Sequence, residues 1–522
     1  MKRVLSLLCA VCLLATLAAC GNTPENSGDS SAPAGSTTTT TATVDSSGDS
    51  TTGTAGSATT DNGTGEATTE VTPSGTESTT GTGTEKPTAT KTDKTTKTTS
   101  TTKTTAKPDF SVTKPKPSVT EGEMLDLALN VYQDLLDNWW TGNAKTGHLI
   151  NTSGGKPNKD IHFLWEPAMA IFAMDTLYQA TGYSELHDRI VAEWNYIRQC
   201  YPKYDLYVDP GQYFNWAQDD AGWNTMLFMT AYKHTGDDFA LDVAVGLIKN
   251  CYTYWANGDL ATGGLLYDHY VHENDNARFN SMHAVSLLTA AFDYLEYRDD
   301  PQLEKDTMAI YNWLEKNLLR DGEYAFVTKN KQEKTGFCDD MLYWFNFNQQ
   351  RTEFDVFTGP EFALQPNALK EGYGSVFLGG TMGMASLHAR LYKKTGDKTY
   401  LERAQRTLRA VNDNKYLVQN GVYVNVGDAW TNACWMQYWG TDVLTLPGLQ
   451  KKDVKILKDT ANSIYNRSRT NDGYYSGSWS GPAEDADTSW GRMGWTHDTI
   501  MCSATSMHMV FAAALAESMG LG

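Results

Sequence analysis

Cysteine is sparse and scattered: eight residues in 522, of which Cys9, Cys12 and Cys20 fall within the first twenty. The others, Cys200, Cys251, Cys338, Cys434 and Cys502, form an odd, widely spaced set in which no pair has metal-ligand spacing. A domain of this size needs no disulfide framework, so buried free thiols are expected, with a Cys200–Cys251 bridge as the alternative. An excess of basic residues is also missing. With 43 Lys and Arg against 62 Asp and Glu, the formal net charge of -19 speaks against nucleic acid or an anionic surface as partner. No glycine-rich loop followed by Lys and Ser or Thr is present to cradle phosphate. No Gly-x-Ser-x-Gly elbow is present for serine esterase chemistry. The segment His269-Tyr-Val-His272-Glu273 lacks both the four-residue histidine spacing and a third ligand, so neither a metal nor another cofactor is expected.

Aromatic residues are nearly absent from the first 120 positions. From Gly21 to about Lys116 the chain is almost entirely Thr, Ser, Gly, Pro, Ala and Lys, with Phe110 its one aromatic. Such a segment cannot bury enough apolar surface to offset its chain entropy, and residues 21–117 are expected to form a disordered linker. Ahead of it, Lys2 and Arg3, an apolar run from Val4 to Leu14 and the sequence Leu17-Ala-Ala-Cys20 resemble a bacterial lipoprotein signal. That resemblance makes 1–20 the signal, Cys20 the lipid attachment site, and the outer face of a bacterial cell membrane the expected location.

What remains, 118–522, carries every Trp and Tyr of the chain. Apolar residues recur three and four apart through it, and the pattern predicts helices near 121–138, 163–180, 184–200, 219–234, 238–256, 279–297, 301–318, 376–394, 398–413, 428–439, 451–467 and 497–518. Three junctions share one punctuation: Tyr178-Gln-Ala-Thr-Gly-Tyr183, Tyr232-Lys-His-Thr-Gly-Asp237 and Tyr392-Lys-Lys-Thr-Gly-Asp397. Glycine ends one helix in the left-handed conformation, and Asp237 and Asp397 cap the next. About twelve helices in tight hairpins predict an all-α protein, an (α/α)6 toroid of about six hairpins, with a superhelical repeat array as the structural rival. The long irregular segments 202–218, 257–278, 320–373 and 468–495 are then the walls of a site at one mouth of the ring.

Four Asp-Asp dipeptides punctuate the domain. Asp237-Asp238 and Asp299-Asp300 sit where helix caps belong. Asp339-Asp340 has aromatic neighbours and is a secondary site candidate. Asp219-Asp220 differs: it follows an aromatic loop, lies between Trp216 and Trp223, and opens an apolar helix. Free N–H groups and the positive dipole end at a helix start stabilise an anion, whereas desolvation by an indole disfavours one. The pair therefore divides into a base or nucleophile and an acid. Adjacent side chains place carboxyl groups about 5 to 5.5 Å apart, the separation of a retaining glycosidase. Acidic residues in a first helical turn are also common without chemistry.

The run Asp219-Asp-Ala-Gly-Trp-Asn-Thr-Met-Leu-Phe-Met-Thr-Ala-Tyr-Lys-His-Thr-Gly-Asp237 resembles the hallmark of glycoside hydrolase family 76, the endo-α-1,6-mannanases. Leu164-Trp-Glu166, Gly263-Gly264 ahead of Asn280, and Leu391-Tyr-Lys-Lys-Thr-Gly-Asp-Lys-Thr-Tyr-Leu-Glu-Arg-Ala404 match as well. The sequence departs from the family pattern at Tyr373-Gly-Ser-Val-Phe-Leu-Gly-Gly-Thr381 and at Gln218, where an aromatic is common. The resemblance implies a six-hairpin toroid and a retaining mechanism, with Asp219 as nucleophile and Asp220 as general acid, then base. It implies a polysaccharide or oligosaccharide substrate containing α-mannose, a monomeric enzyme and no cofactor.

Trp216, Trp223, Trp165, Trp344, Asn280 and Tyr373 are the accompanying candidates for substrate binding. For tryptophans within helices core packing is the competing account, as it is for Trp435 and Trp439. Tyr475 and Trp479 of the glycine-rich segment 472–481 are candidates for a rim subsite or for a plain structured loop. Two rival functions stand beside the mannanase. Another toroid enzyme, an unsaturated glucuronyl hydrolase, lyase or epimerase, would lean on His283 or His388. A surface lipoprotein that captures glycans would need no chemistry at all.

Overall fold

The computed structural model describes residues 122–151, 164–209, 218–266, 278–320, 322–327, 333–338, 343, 346–348, 378–414, 418–423, 442–483 and 498–521. The expected signal, linker and helix 428–439 lie outside these residues. Eleven long helices lie within them: α1 (Glu123–Trp139), α2 (Trp165–Thr181), α3 (Ser184–Cys200), α4 (Gln218–Thr235), α5 (Asp238–Tyr254), α6 (Ser281–Tyr297), α7 (Pro301–Leu318), α8 (Leu378–Thr395), α9 (Lys398–Asn412), α10 (Lys451–Ser463) and α11 (Ile500–Ser518). Each falls within a few residues of its predicted span.

The helices form two concentric layers of an (α/α)6 toroid. α11, α2, α4, α6 and α8 pack side by side as the inner layer, and each packs against an outer partner: α1, α3, α5, α7 and α9, with α10 also against α11. Composition separates the layers. Outer α9 buries Ala404, Thr407, Leu408 and Val411, one stripe at helical spacing. Inner α2 is buried from Trp165 to Thr181 apart from Asp175, Tyr178 and Gln179, and inner α11 has an almost uninterrupted apolar and small-residue sequence. A helix enclosed on every side requires that composition.

The repeated Thr-Gly turn has one geometry at all three sites. Gly182, Gly236 and Gly396 have φ of 65°, 65° and 72°. Their N–H groups donate to the carbonyls of Tyr178, Tyr232 and Tyr392 at 2.7, 2.8 and 2.8 Å. The preceding threonine hydroxyl donates back one turn, Thr181 to Leu177, Thr235 to Ala231 and Thr395 to Leu391, and accepts the N–H two residues on. Asp237 and Asp397 then cap α5 and α9 through the N–H groups of Phe239 and Thr399. Asp300 likewise caps α7 through Leu303 N–H. Two of the four acidic dipeptides are therefore cap sites, as the sequence predicts.

Inner helices pass to outer ones through these short turns, whereas outer helices return through long segments. All described inner helices consequently start at the same end of the ring. Short antiparallel strands decorate that end: β1 (Trp140–Thr141) with β2 (His148–Leu149), and β3 (Arg278–Asn280) with β6 (Asn346–Asn348). A longer hairpin joins β4 (Gly322–Val327) to β5 (Glu333–Cys338), so the span 320–373, expected to be irregular, contains regular structure. Cys251 is a buried free thiol and Cys200 a half-buried one, which excludes the alternative bridge. No helix among the described residues is long and apolar enough to cross a membrane.

Candidate active site

Asp219 and Asp220 occupy the first turn of α4, at the end of the ring where the inner helices begin. Asp219 is 2% exposed, whereas Asp220 is half-buried. The backbone explains this division, because consecutive residues on a helix point about 100° apart. One carboxyl group is enclosed, and its neighbour is partly open to solvent.

The wall is tight one turn below the pair. A Cβ built on Gly222 would lie 1.8 Å from Ser286 Oγ and 2.6 Å from Ser286 Cβ on α6. Only glycine lets α4 and α6 approach this closely. Gly222 lies three residues after Asp219 and so shares its helix face, and the contact bounds the position of the turn that carries the buried carboxylate.

Neighbouring helix starts are clamped at the same end. Glu166, 9% exposed in the first turn of α2, accepts a hydrogen bond from Asn151 Nδ2. The Asn151 carbonyl accepts the Ile500 N–H of α11 at 2.7 Å, and Trp139 Nε1 donates to the Asp498 carbonyl at 2.7 Å. Glu166 thus adds another buried carboxylate at this end. Its sequence signal is an acidic residue opening an apolar helix, within the segment Leu164-Trp-Glu166.

The opposite end of the inner ring is fixed by charge. Asp293 of α6 bonds to Lys233 of α4 at 2.9 Å and to Arg390 of α8, whose Nε reaches Asp442 at 2.7 Å. Burial alone would raise the Asp293 carboxyl, but Arg390 and Lys233 outweigh it and hold the group below its usual range. The inner helices are therefore tied together at that end, and the acidic pair stands at the other, where the inner helices begin.

A family comparison bears on this arrangement. Residues 124–346 match glycosyl hydrolase family 76. The match contains the acidic pair, Gly222 and Glu166. Solved structures similar to this chain include the α-1,6-mannanase of that family from Salegentibacter sp., at 17% identity and a TM-score of 0.53, over 75% of this chain and 99% of that one. An inactive variant of the same mannanase, with two consecutive aspartates changed to asparagine, was solved in complex with α-1,6-mannotriose. A family 76 mannosidase from Bacteroides thetaiotaomicron gives 12% identity and a TM-score of 0.51, over 76% of this chain and 100% of that one. Dfg5 from Chaetomium thermophilum, in complex with glucosamine, gives 13% and 0.52, over 77% and 92%. At these identities the likeness establishes the shared fold. No curated protein matches.

Of the residues that the family 76 resemblance and the aromatic pattern singled out, Asp219, Asp220, Trp165 and Trp223 come together at or just below the helix starts. Trp165 and Trp223 are 5% and 1% exposed, so both rings belong to the packing between inner helices and offer no open sugar platform. Trp216, Tyr373, Trp344, Asp339, Asp340 and Cys20 lie outside the described residues, as do His269, His272, Trp435 and Trp439. Asn280 is described only as backbone, in β3 immediately before α6.

Tyr475 and Trp479 belong to a structured loop and not to a rim subsite. Both are fully buried: the Tyr475 hydroxyl donates to Asp134, which also holds Arg469 at 2.6 Å, and Trp479 Nε1 donates to Ser506 Oγ at 2.8 Å. The glycine-rich loop folds inward because these polar tips find partners on α1 and α11. His388, the residue on which a rival toroid enzyme would lean, is fully buried, with Nε2 3.1 Å from Glu315 and the imidazole pushed down to about 3 by burial. Its imidazole is packed away from solvent against Glu315.

Proposed function

We propose that this chain is a retaining glycoside hydrolase of family 76 that cleaves α-mannosidic linkages, α-1,6 and internal, in a mannan-type glycan. The observation that carries the reading is the adjacent pair Asp219-Asp220 at the start of an inner helix, one carboxyl buried and one half-exposed, within the segment that matches the family. The Salegentibacter mannanase, inactive when two consecutive aspartates are changed, supports it.

In this mechanism Asp219 attacks the anomeric carbon while Asp220 donates a proton to the departing glycosidic oxygen, leaving a covalent glycosyl-enzyme. Asp220, now a base, takes a proton from water, which displaces Asp219 and restores the original configuration. The burial difference suits these roles: the nucleophile is held rigidly, and the acid–base has access to water for proton exchange. We further propose that the enzyme works as a monomer at the outer surface of a bacterial membrane, tethered through lipid on Cys20 and the linker 21–117.

Incubation of the chain with linear α-1,6-mannan tests the reading, with products sized by chromatography and their anomeric configuration followed by NMR. Oligosaccharides should appear with the α configuration retained. Asp219→Asn and Asp220→Asn should each lower kcat by about three orders of magnitude or more without loss of fold. Absence of cleavage by the folded wild type would remove mannan as substrate. Initial formation of β products would remove the double displacement.

A further inference from the structure

A cavity of about 500 Å³ opens on the outer flank of the ring, between the β1–β2 turn and the last turns of α3. Its walls include Lys145 and Thr146 from the turn and Asn195, Tyr196, Arg198 and Gln199 from the helix. We propose that this cavity is a saccharide-binding site for a neutral hexose chain, separate from the acidic pair, and that it holds a distal stretch of the same glycan. The glycan's identity rests on the proposed function, whereas the site's location and chemistry do not.

Two features indicate a built site. The turn is preorganised, because the Asn143 side chain accepts the N–H groups of Lys145 at 2.9 Å and Thr146 at 3.1 Å. It is also pinned to α3, because buried Glu193 accepts the Leu149 N–H of β2 at 2.7 Å. The two walls are therefore fixed relative to each other before any ligand arrives, which lowers the ordering cost of binding.

The lining chemistry selects the ligand. Tyr196 lies flat on the His148 imidazole, with ring centroids 4.0 Å apart and planes 8° apart, so its ring is held as a rigid aromatic surface beside the cavity. Around it stand two amides and a hydroxyl, groups that both donate and accept hydrogen bonds, as sugar hydroxyls require. Among the described residues no carboxylate lines the cavity. Arg198 is already ion-paired with Asp237, which leaves Lys145 as the remaining cation and makes a polyanion a poor match. The volume lies in the usual range for small-ligand sites.

Position gives the site its use. The β1–β2 turn connects α1 to α2, and Tyr196 and Gln199 are near the C-terminal end of outer helix α3, so the cavity lies at the same end of the ring as the acidic pair. A polymer gripped there raises its own local concentration at the cleavage site, whereas a short oligosaccharide gains nothing.

The test compares Tyr196→Ala, and Asn195→Ala combined with Gln199→Ala at two exposed positions, with the wild-type chain. KM for linear α-1,6-mannan should rise about fivefold or more with kcat unchanged, and kinetics on α-1,6-mannotetraose should stay the same. In affinity electrophoresis, Asp219→Asn chains that also carry either change should be retarded less by mannan than Asp219→Asn alone. Unchanged KM and retardation in both variants would overturn the cavity site while leaving the proposed function intact. If wild type does not cut mannan, the proposed function has failed, and electrophoresis through neutral glucan, galactan and β-mannan decides the cavity. Retardation that both variants lose sustains it, and no retardation by any of them overturns it.

Discussion

Replacing Gly222 by alanine tests whether the α4–α6 contact supports the acidic pair. The new Cβ would sit 1.8 Å from Ser286 Oγ, 2.6 Å from Ser286 Cβ and 3.2 Å from Leu287 N, against ordinary contacts of 3.4–4 Å. Turning the Ser286 hydroxyl away relieves the first clash and neither of the others, so the helices must part by several tenths of an ångström or more. Overpacking of this kind costs about 1–3 kcal/mol, offset by roughly 1 kcal/mol from alanine's better helix propensity. The net loss of stability should be about 1–2 kcal/mol, read as a lower urea midpoint. The effect on rate should be larger in proportion. Asp219 lies one turn away on the same face, and a displacement approaching 1 Å at a reacting group lowers turnover by about 10- to 100-fold. Ser286→Gly in the same chain removes both side-chain clashes and should restore most of the stability and rate. A Gly222→Ala variant with wild-type stability and turnover would refute the close approach and the support it is said to give.

Glu193 and Arg390 supply two further tests. Burial pushes the Glu193 carboxyl up to about 8 from an ordinary 4.5, so the folded chain keeps this proton over a range in which the unfolded chain has lost it. Its contribution to stability is therefore intact below about pH 4.5 and falls as pH rises through 8, by a few kcal/mol in all. Glu193→Gln, which can still accept the Leu149 N–H, should remove that decline, and a wild-type urea midpoint that stays level from pH 5 to 9 would contradict the assignment. Arg390→Met leaves Asp293 and Asp442 buried without their shared cation and should cost about 3–5 kcal/mol, measured by urea unfolding. Because Asp293 is held below its usual range, its contribution in the wild type is present at neutral pH and lost on acidification below about pH 4.

The sequence alone determined what local chemistry can determine. Each Thr-Gly turn is specified within six residues, since glycine's conformation, the threonine's back-bond and the following aspartate cap all act over one turn of chain, and the three turns fell where they were read. Helix spans followed from apolar spacing, and the division into amphipathic outer and enclosed inner helices is visible in composition. The acidic pair was legible for the same reason: its position at a helix start is a property of neighbouring residues. What tertiary structure decided were the relations between residues far apart. Tyr475 and Trp479 read equally as rim aromatics or as part of a plain structured loop, and the choice lies with partners distant in sequence: Asp134 lies 341 residues from Tyr475 and Ser506 lies 27 from Trp479, and they draw both rings inside. The burial of Trp165 and Trp223, the pairing of β3 with β6, the Asp293–Arg390–Asp442 network and the contact of Gly222 with Ser286 share that cause. Propensity and patterning act along a few turns of chain, whereas the burial of a side chain is set by whichever surfaces the closed ring brings against it.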